Sequence, residues 1–131
     1  MLKVLDLFSG IGGFSLGLER SGVKPTAFCE INPYCRAVLA KHWPEVPCYD
    51  DITGLTGKRL RIDGVRVDVI SGGFPCQPFS TASRGRRTAI DLWPEMQRIV
   101  GECRPSYVIA ENVQEEAIAN AARDMRVFGY R

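Results

Sequence analysis

The 131 residues amount to one domain's worth of chain, enough to bury a useful core and too few for a multi-domain machine. Hydrophobic residues make up 45% and charged residues 24%, which excludes the disordered and fibrous classes. Lys plus Arg total 17 against 15 Asp plus Glu, a net charge of +2 that is too mild to announce nucleic acid by itself. No apolar run approaches the roughly 18 to 20 residues that span a bilayer, and Met1-Leu2-Lys3-Val4-Leu5-Asp6 meets an acid too early for a signal peptide. A cytoplasmic protein without a membrane partner is expected. The five cysteines Cys29, Cys35, Cys48, Cys76 and Cys103 are odd in number and form no CxxC pair, so neither a disulfide framework nor a metal site is expected.

Strand-length apolar runs alternate with helix-length amphipathic stretches, the pattern of an α/β fold with a parallel sheet. Lys3 to Phe8 reads as a first strand, followed by a glycine turn and a helix from about Gly13 to Ser21. A second strand, Thr26 to Glu30, leads into a helix ending near His42, with Asn32 as N-cap and Pro33 in its first turn. Cys48 to Asp50 reads as a short third strand, and a loop of Gly, Thr and basic residues then runs to Gly64. Val65 to Ile70 is a central fourth strand, Asp91 to Glu102 a helix, Ser106 to Ala110 a fifth strand, and Glu115 to Met125 a last helix. The right-handed crossover rule places helices on both faces of the sheet and a ligand at the carboxyl ends of its strands.

Candidate chemistry falls at those strand ends. Asp6-Leu7-Phe8-Ser9-Gly10-Ile11-Gly12-Gly13 is a strand entering a glycine-rich turn, which lets backbone N–H groups approach a ligand closely. A dinucleotide fingerprint needs Gly-x-Gly-x-x-Gly, and the third position falls on Ser15, which argues against a small dehydrogenase. Glu30 stands where a carboxylate grips a ribose diol, and Asp51 is placed to accept from an adenine amino group, so the set suits an adenosine-bearing cofactor without phosphates. Each of these acids, taken singly, also fits a solvated loop end. After the fourth strand, Gly72-Gly73-Phe74-Pro75-Cys76-Gln77-Pro78-Phe79-Ser80 confines one cysteine between two prolines, a setting for a reactive thiol. Cys29, Cys35, Cys48 and Cys103 lie in or beside periodic segments and read as packing residues. Glu111 and Asn112 emerge from the fifth strand, beside Cys76 if strands four and five are neighbours.

In order and spacing, the set from Asp6 to Gly13, Glu30, Asp51-Ile52, Gly72 to Ser80 and Glu111-Asn112-Val113 resembles the cytosine-C5 DNA methyltransferase family across almost the whole chain. The resemblance implies a Rossmann-like S-adenosylmethionine-dependent methyltransferase fold, truncated here after the fifth strand and its helix. It implies S-adenosylmethionine as cofactor, with S-adenosylhomocysteine as product. The cofactor would be held by Asp6, Phe8, Ser9, Gly10, Ile11, Gly12 and Gly13, by Glu30 and Ile31 at the ribose, by Asp51 and Ile52 at the adenine, and by Gly73, Pro75 and Leu92. DNA is the implied partner.

The residues make chemical sense in those roles. Cytosine C5 is a poor nucleophile, and addition of the Cys76 thiolate at C6 converts the ring to an enamine that attacks an electrophilic methyl group. A free Cys, with a pKa of about 8.5, needs local help to ionise near neutrality. Glu111 would contact N3 and the exocyclic amine as a proton donor, which requires a carboxyl kept protonated by burial or by the bound base. Asn112 would brace the Pro75-Cys76 loop through its amide, and in duplex DNA the target base must first leave the stack.

The family's further strands, target-recognition region and returning helix have no counterpart in these residues, so DNA sequence specificity is unreadable. Ser80, Arg84, Arg86 and Arg87 are the DNA-contact candidates, and a solvated basic loop is the alternative for the three arginines; the same choice applies to Lys58, Arg59 and Arg61. With strand order 3-2-1-4-5, strand five is an edge without Lys or internal Pro to protect it. It is expected to pair with a second copy of the chain or a complementary C-terminal polypeptide. The competing class is a non-catalytic S-adenosylmethionine-binding or DNA-associated subunit derived from such an enzyme. The expected setting is the cytoplasm of a bacterial or phage-infected cell.

Overall fold

A computed structural model describes residues 1–75, 91–112 and 115–131. Five parallel strands, β1 (Lys3–Leu7), β2 (Lys24–Cys29), β3 (Cys48–Tyr49), β4 (Val69–Gly73) and β5 (Tyr107–Glu111), form one sheet in the order β3-β2-β1-β4-β5. The helices are α1 (Gly13–Glu19), α2 (Pro33–His42), α3 (Gly57–Ile62), α4 (Trp93–Cys103) and α5 (Glu115–Arg126), with a 3-10 turn at Ile52–Gly54. Crossover connections and the period-2 alternation of the strands account for this arrangement. Val4, Asp6 and Phe28 turn to one face of the sheet, where Leu39 of α2 and Ser15 of α1 are also buried. Leu5, Leu7, Cys29 and Ile70 turn to the other, in one cluster with Met96, Ile99 and Val100 of α4 and Ala121 and Met125 of α5.

Local signals set the helix ends. Asn32 Oδ1 accepts from the N–H groups of Tyr34 and Cys35 at 2.9 and 3.3 Å, and Pro33 fills the first helical position, as expected from the sequence. In α4, Trp93, Met96, Ile99 and Val100 recur at helical spacing and are the buried face.

Two segments differ from expectation. The loop anticipated between the third strand and Gly64 contains the 3-10 turn and α3. Each is short, started by a side-chain cap (Asp51 Oδ1 to Thr53 N at 2.9 Å, Thr56 Oγ1 to Arg59 N at 3.0 Å), with too few apolar residues to show a period. The fourth strand spans Val69–Gly73 rather than Val65 to Ile70. Its neighbour β1 starts at Lys3, whose carbonyl accepts from Asp68 N at 2.9 Å, so 65–67 have no strand beside them; Val65 N instead closes on Leu60 O at the end of α3. Among the described residues, no helix is long and apolar enough to cross a membrane.

Candidate functional site

The carboxyl ends of β1 to β4 and the start of α4 enclose a cavity of about 510 Å³ lined by Phe8, Glu30, Ile31, Asp51, Ile52, Gly73, Pro75 and Leu92, all named from the sequence. Among the described residues, Cys29, Asp50 and Thr53 complete its lining. The cavity is predominantly apolar, with acidic side chains at the ends of β2 and β3. Phe8 adopts a left-handed backbone, φ 52°, a strained conformation for a bulky residue and one that recurs where side chains are held against ligands.

Glu30 is the clasp of this site. Its Oε1 accepts from Gly10 N and its Oε2 from Asn32 N, both at 2.8 Å, so one carboxylate ties the turn after β1 to the turn after β2. A carboxylate has about four lone-pair sites, and the two left over remain for hydroxyl donors. Asp51 accepts from Thr53 N at 2.9 Å and Thr53 Oγ1 at 2.7 Å, and these bonds hold its carboxyl below the ordinary range, as an ionised acceptor.

Other members of the glycine-turn set lie outside the cavity wall. Asp6 is 1% exposed and sits beneath the turn, accepting from Ser15 Oγ at 2.7 Å and Ser71 Oγ at 3.1 Å. Burial raises its carboxyl to about 6, against the lowering effect of the two hydroxyls. Asp6 therefore joins β1, α1 and β4 from below, and Ser15, where a dinucleotide fingerprint has glycine, is its partner. Ser9 is buried and hydrogen-bonds back to the Asp6 and Cys29 carbonyls. Gly10 reaches the cavity only through its bond to Glu30. Ile11, Gly12 and Gly13 line a separate groove between α1 and α2. Gly12, φ 93°, packs so closely on Trp43 that a Cβ there would lie 2.5 Å from the indole. Trp43 is held in turn by Glu19, which accepts from its Nε1 at 2.6 Å.

On the opposite wall, Phe74 and Pro75 are pinned just before Cys76 in the sequence. Asn112 Nδ2 donates to Phe74 O at 2.9 Å. Leu92 N donates to Pro75 O at 3.2 Å, and the Phe74 ring rests against Trp93 with centroids 5.0 Å apart. β5 pairs Glu111 with Gly73, and the Glu111 carboxylate occupies the space a Cβ of Gly73 would need, 2.8 Å from that position. Glu111 itself is exposed. Cys76, Ser80, Arg84, Arg86, Arg87 and Val113 lie outside the described residues.

Three of the four other cysteines have thiols held away from ionisation by burial. Cys29 is buried in the floor of the cavity, and burial pushes its thiol up to about 12; burial also raises Cys48 and Cys103. Cys35 is half-buried on α2 and belongs to no core cluster. Among the described residues no cluster of His, Cys, Asp and Glu could hold a metal ion. Of the basic groups read as a patch, Arg59 pairs with Asp63 at 2.8 Å and Arg61 donates to Glu102 O at 3.4 Å, so both have intramolecular partners.

The fold superimposes on that of a protein described as a prophage-encoded DNA modification methyltransferase from E. coli, with a TM-score of 0.77 and 30% identity, over 97% of this chain and 37% of the other. Sheet order and superposition together define the Rossmann-like fold shared with such methyltransferases. The sequence model of the family described as C-5 cytosine-specific DNA methylase matches residues 2–128. Type II methyltransferase M2.BsuMI of Bacillus subtilis is 36% identical over 86% of this chain and 29% of its own length. Type II methyltransferase M1.HphI of Haemophilus parahaemolyticus is 39% identical over 86% of this chain and 32% of its own. The chain belongs to the C-5 cytosine-specific DNA methylase family, and it spans about a third of the length of these relatives.

Proposed function

We propose that this chain carries the cofactor pocket and the nucleophile of a DNA (cytosine-5-)-methyltransferase that uses S-adenosylmethionine. The observation that carries the reading is the convergence of Phe8, Glu30, Asp51, Leu92 and Pro75 on one cavity, with Pro75 next to Cys76 in the chain. The donor set fits the cofactor. The free lone pairs of Glu30 suit a ribose diol, Asp51 suits an amino group, and Ile31, Ile52 and Leu92 supply apolar walls for a base. Three carboxylates, Glu30, Asp50 and Asp51, line the cavity, which favours a sulfonium cation over a phosphate-bearing nucleotide. When bound, S-adenosylmethionine supplies an electrophilic methyl group.

The chain's own residues do the remainder. Cys76 Sγ, as thiolate, adds to C6 of a cytosine swung out of the duplex, and the ring's electron density moves toward C5. Glu111 meets N3 and the exocyclic amine, with the bound base covering its carboxyl. Asn112 and Leu92 hold the Phe74 and Pro75 carbonyls, so the backbone leading to Cys76 is fixed from two sides. Once C5 carries the methyl group, a base removes the C5 proton, the C6–S bond breaks and the thiolate is released.

Two measurements test this reading. Calorimetric titration of S-adenosylhomocysteine is expected to show binding that Glu30→Ala abolishes. DNA containing 5-fluorocytosine, offered with S-adenosylmethionine and any polypeptide that completes the domain, is expected to give a denaturation-resistant adduct on Cys76 that Cys76→Ala lacks. Cofactor binding without an adduct would favour a non-catalytic cofactor-binding subunit.

The partner reading belongs with it. Beside β5 lies a groove of about 540 Å³ lined by Tyr107, Val108, Ala110, Ile118, Ala121 and Met125, and Tyr107 is 59% exposed. Further polypeptide, from the remainder of a longer catalytic domain or from a second copy, is proposed to cover this edge. Sedimentation showing a stable monomer at high concentration with no affinity for such a polypeptide would refute it. A cytoplasmic setting beside DNA accords with the bacterial sources of the relatives.

A further inference from the structure

We propose that Arg98 is a positioning residue that sets the base-side wall of the cavity; the inference rests on the cofactor reading above. Arg98 lies on α4 and does not line the cavity. Its Nη2 donates to Ile52 O and its Nη1 to Leu55 O, both at 2.8 Å, so one guanidinium grips both ends of the 3-10 turn that presents Ile52 and Thr53 to the cavity. Glu95 and Glu102 hold the guanidinium from either side, through Nε at 2.8 Å and Nη1 at 2.9 Å. Glu102 also accepts from Gly57 N at 2.9 Å through its other oxygen, which extends the grip to the start of α3. The segment from Ile52 to Gly57 is thus fastened to α4 at three backbone groups.

The same helix governs the facing wall. Leu92, at the start of α4, lines the cavity and donates its N–H to Pro75 O. Six residues separate Leu92 from Arg98, about 9 Å along a rigid helix. α4 therefore acts as a strut between the base-side wall and the backbone that leads to Cys76, and the spacing of the two walls depends on Arg98 keeping its hold on Ile52. The planar fork matters, because two carbonyls on different residues must be met at once; a lysine ammonium carries the charge but lacks that geometry.

Arg98→Met and Arg98→Lys test this. Calorimetry with S-adenosylhomocysteine and with its hypoxanthine counterpart, run beside thermal unfolding, separates wall geometry from general stability. Arg98→Met is expected to weaken binding of the adenine compound about tenfold or more and to narrow its preference over the hypoxanthine one, with Arg98→Lys between it and wild type. In the ligand-free protein, amide exchange at Gly54, Leu55 and Gly57 is expected to accelerate in Arg98→Met while that of Asn32 and Gly10 does not. Unchanged affinity and selectivity in a folded Arg98→Met protein, or unchanged exchange at Gly54 to Gly57, would overturn the inference alone. Equal weakening of both compounds in step with lost thermal stability would do the same, by making the role merely structural. A wild-type protein that binds neither compound would overturn the cofactor reading and this inference with it.

Discussion

Replacing Glu30 tests the site at the residue that joins its two halves. The Glu30 carboxylate accepts Gly10 N–H with one oxygen and Asn32 N–H with the other, each at 2.8 Å. Bonds of this kind to a charged acceptor are each worth about 1.5 to 3 kcal/mol. A ribose diol would add two hydroxyl donors to the same carboxylate. At the low end, losing the pair of ribose bonds costs about 3 kcal/mol, which at about 1.4 kcal/mol per decade is more than a hundredfold in Kd. Glu30→Ala removes the acceptor and frees both turns. Glu30→Gln keeps the volume but replaces one acceptor oxygen with an NH2 group, which then faces the N–H of Gly10 or Asn32, donor against donor. The glutamine variant is therefore expected to lie closer to alanine than to wild type, with affinity for S-adenosylhomocysteine down by about tenfold to a hundredfold. Calorimetric titration measures this, with urea unfolding in parallel to confirm a folded protein. A folded Glu30→Gln protein that binds within about threefold of wild type would refute the clasp, because a neutral amide cannot satisfy both turns and a diol.

Three further substitutions probe the layers around the cavity. Burial raises the Asp6 carboxyl from 3.8 to about 6 in the folded chain, so the folded state binds the proton more tightly than the unfolded state between those values. This group's contribution is thus largest below about pH 4 and is lost as pH rises through 6, on the order of 3 kcal/mol; Asp6→Asn, compared with wild type by denaturant unfolding at several pH values, should gain relative stability toward high pH, and a flat difference would refute the assignment. Gly12→Ala drives a Cβ to 2.5 Å from the Trp43 ring at φ 93°, where overpacking costs about 1 to 3 kcal/mol and the left-handed backbone about 1 more. A fall of roughly 10 °C in Tm is expected, and an unchanged Tm would show that Trp43 moves freely. Gly73→Ala places a Cβ 2.8 Å from Glu111 Oε2, the mobile end of an exposed side chain, so the carboxylate shifts while the fold persists. Single-turnover methylation by the completed enzyme should slow by about a hundredfold at nearly constant Tm, and an unaltered rate would remove Glu111 from the reaction.

The strand order comes with the family resemblance, whereas the alternation of helices and strands and the placing of acids at strand ends are legible in the amino-acid sequence itself. Each depends on near neighbours in the chain: the period of the apolar residues, the caps at Asn32 and Pro33, and the fixed hand of a parallel crossover. Glu30 and Asp51 are legible as cavity residues because strand ends lie at one edge of such a sheet whatever the details of packing, whereas Leu92, at the start of α4, is named only through the family resemblance. β4 starts later than its valines suggest, because those in 65–67 have strand propensity, whereas pairing requires a neighbour, and β1 offers none before Lys3. α3 was hidden because a capped helix of six residues carries too little periodicity.

Tertiary structure alone decided how the turn set divides. Asp6 and Ser15 are nine residues apart, and only the seating of α1 on β1 turns them toward each other and away from the cavity. Ile11 and Gly12 face Trp43 rather than the cavity because α2 packs beside α1. Arg98 meets Ile52 and Leu55 across more than 40 residues. Such contacts depend on the rotation and depth at which one element packs on another, a property of the assembled core that no local run of residues encodes.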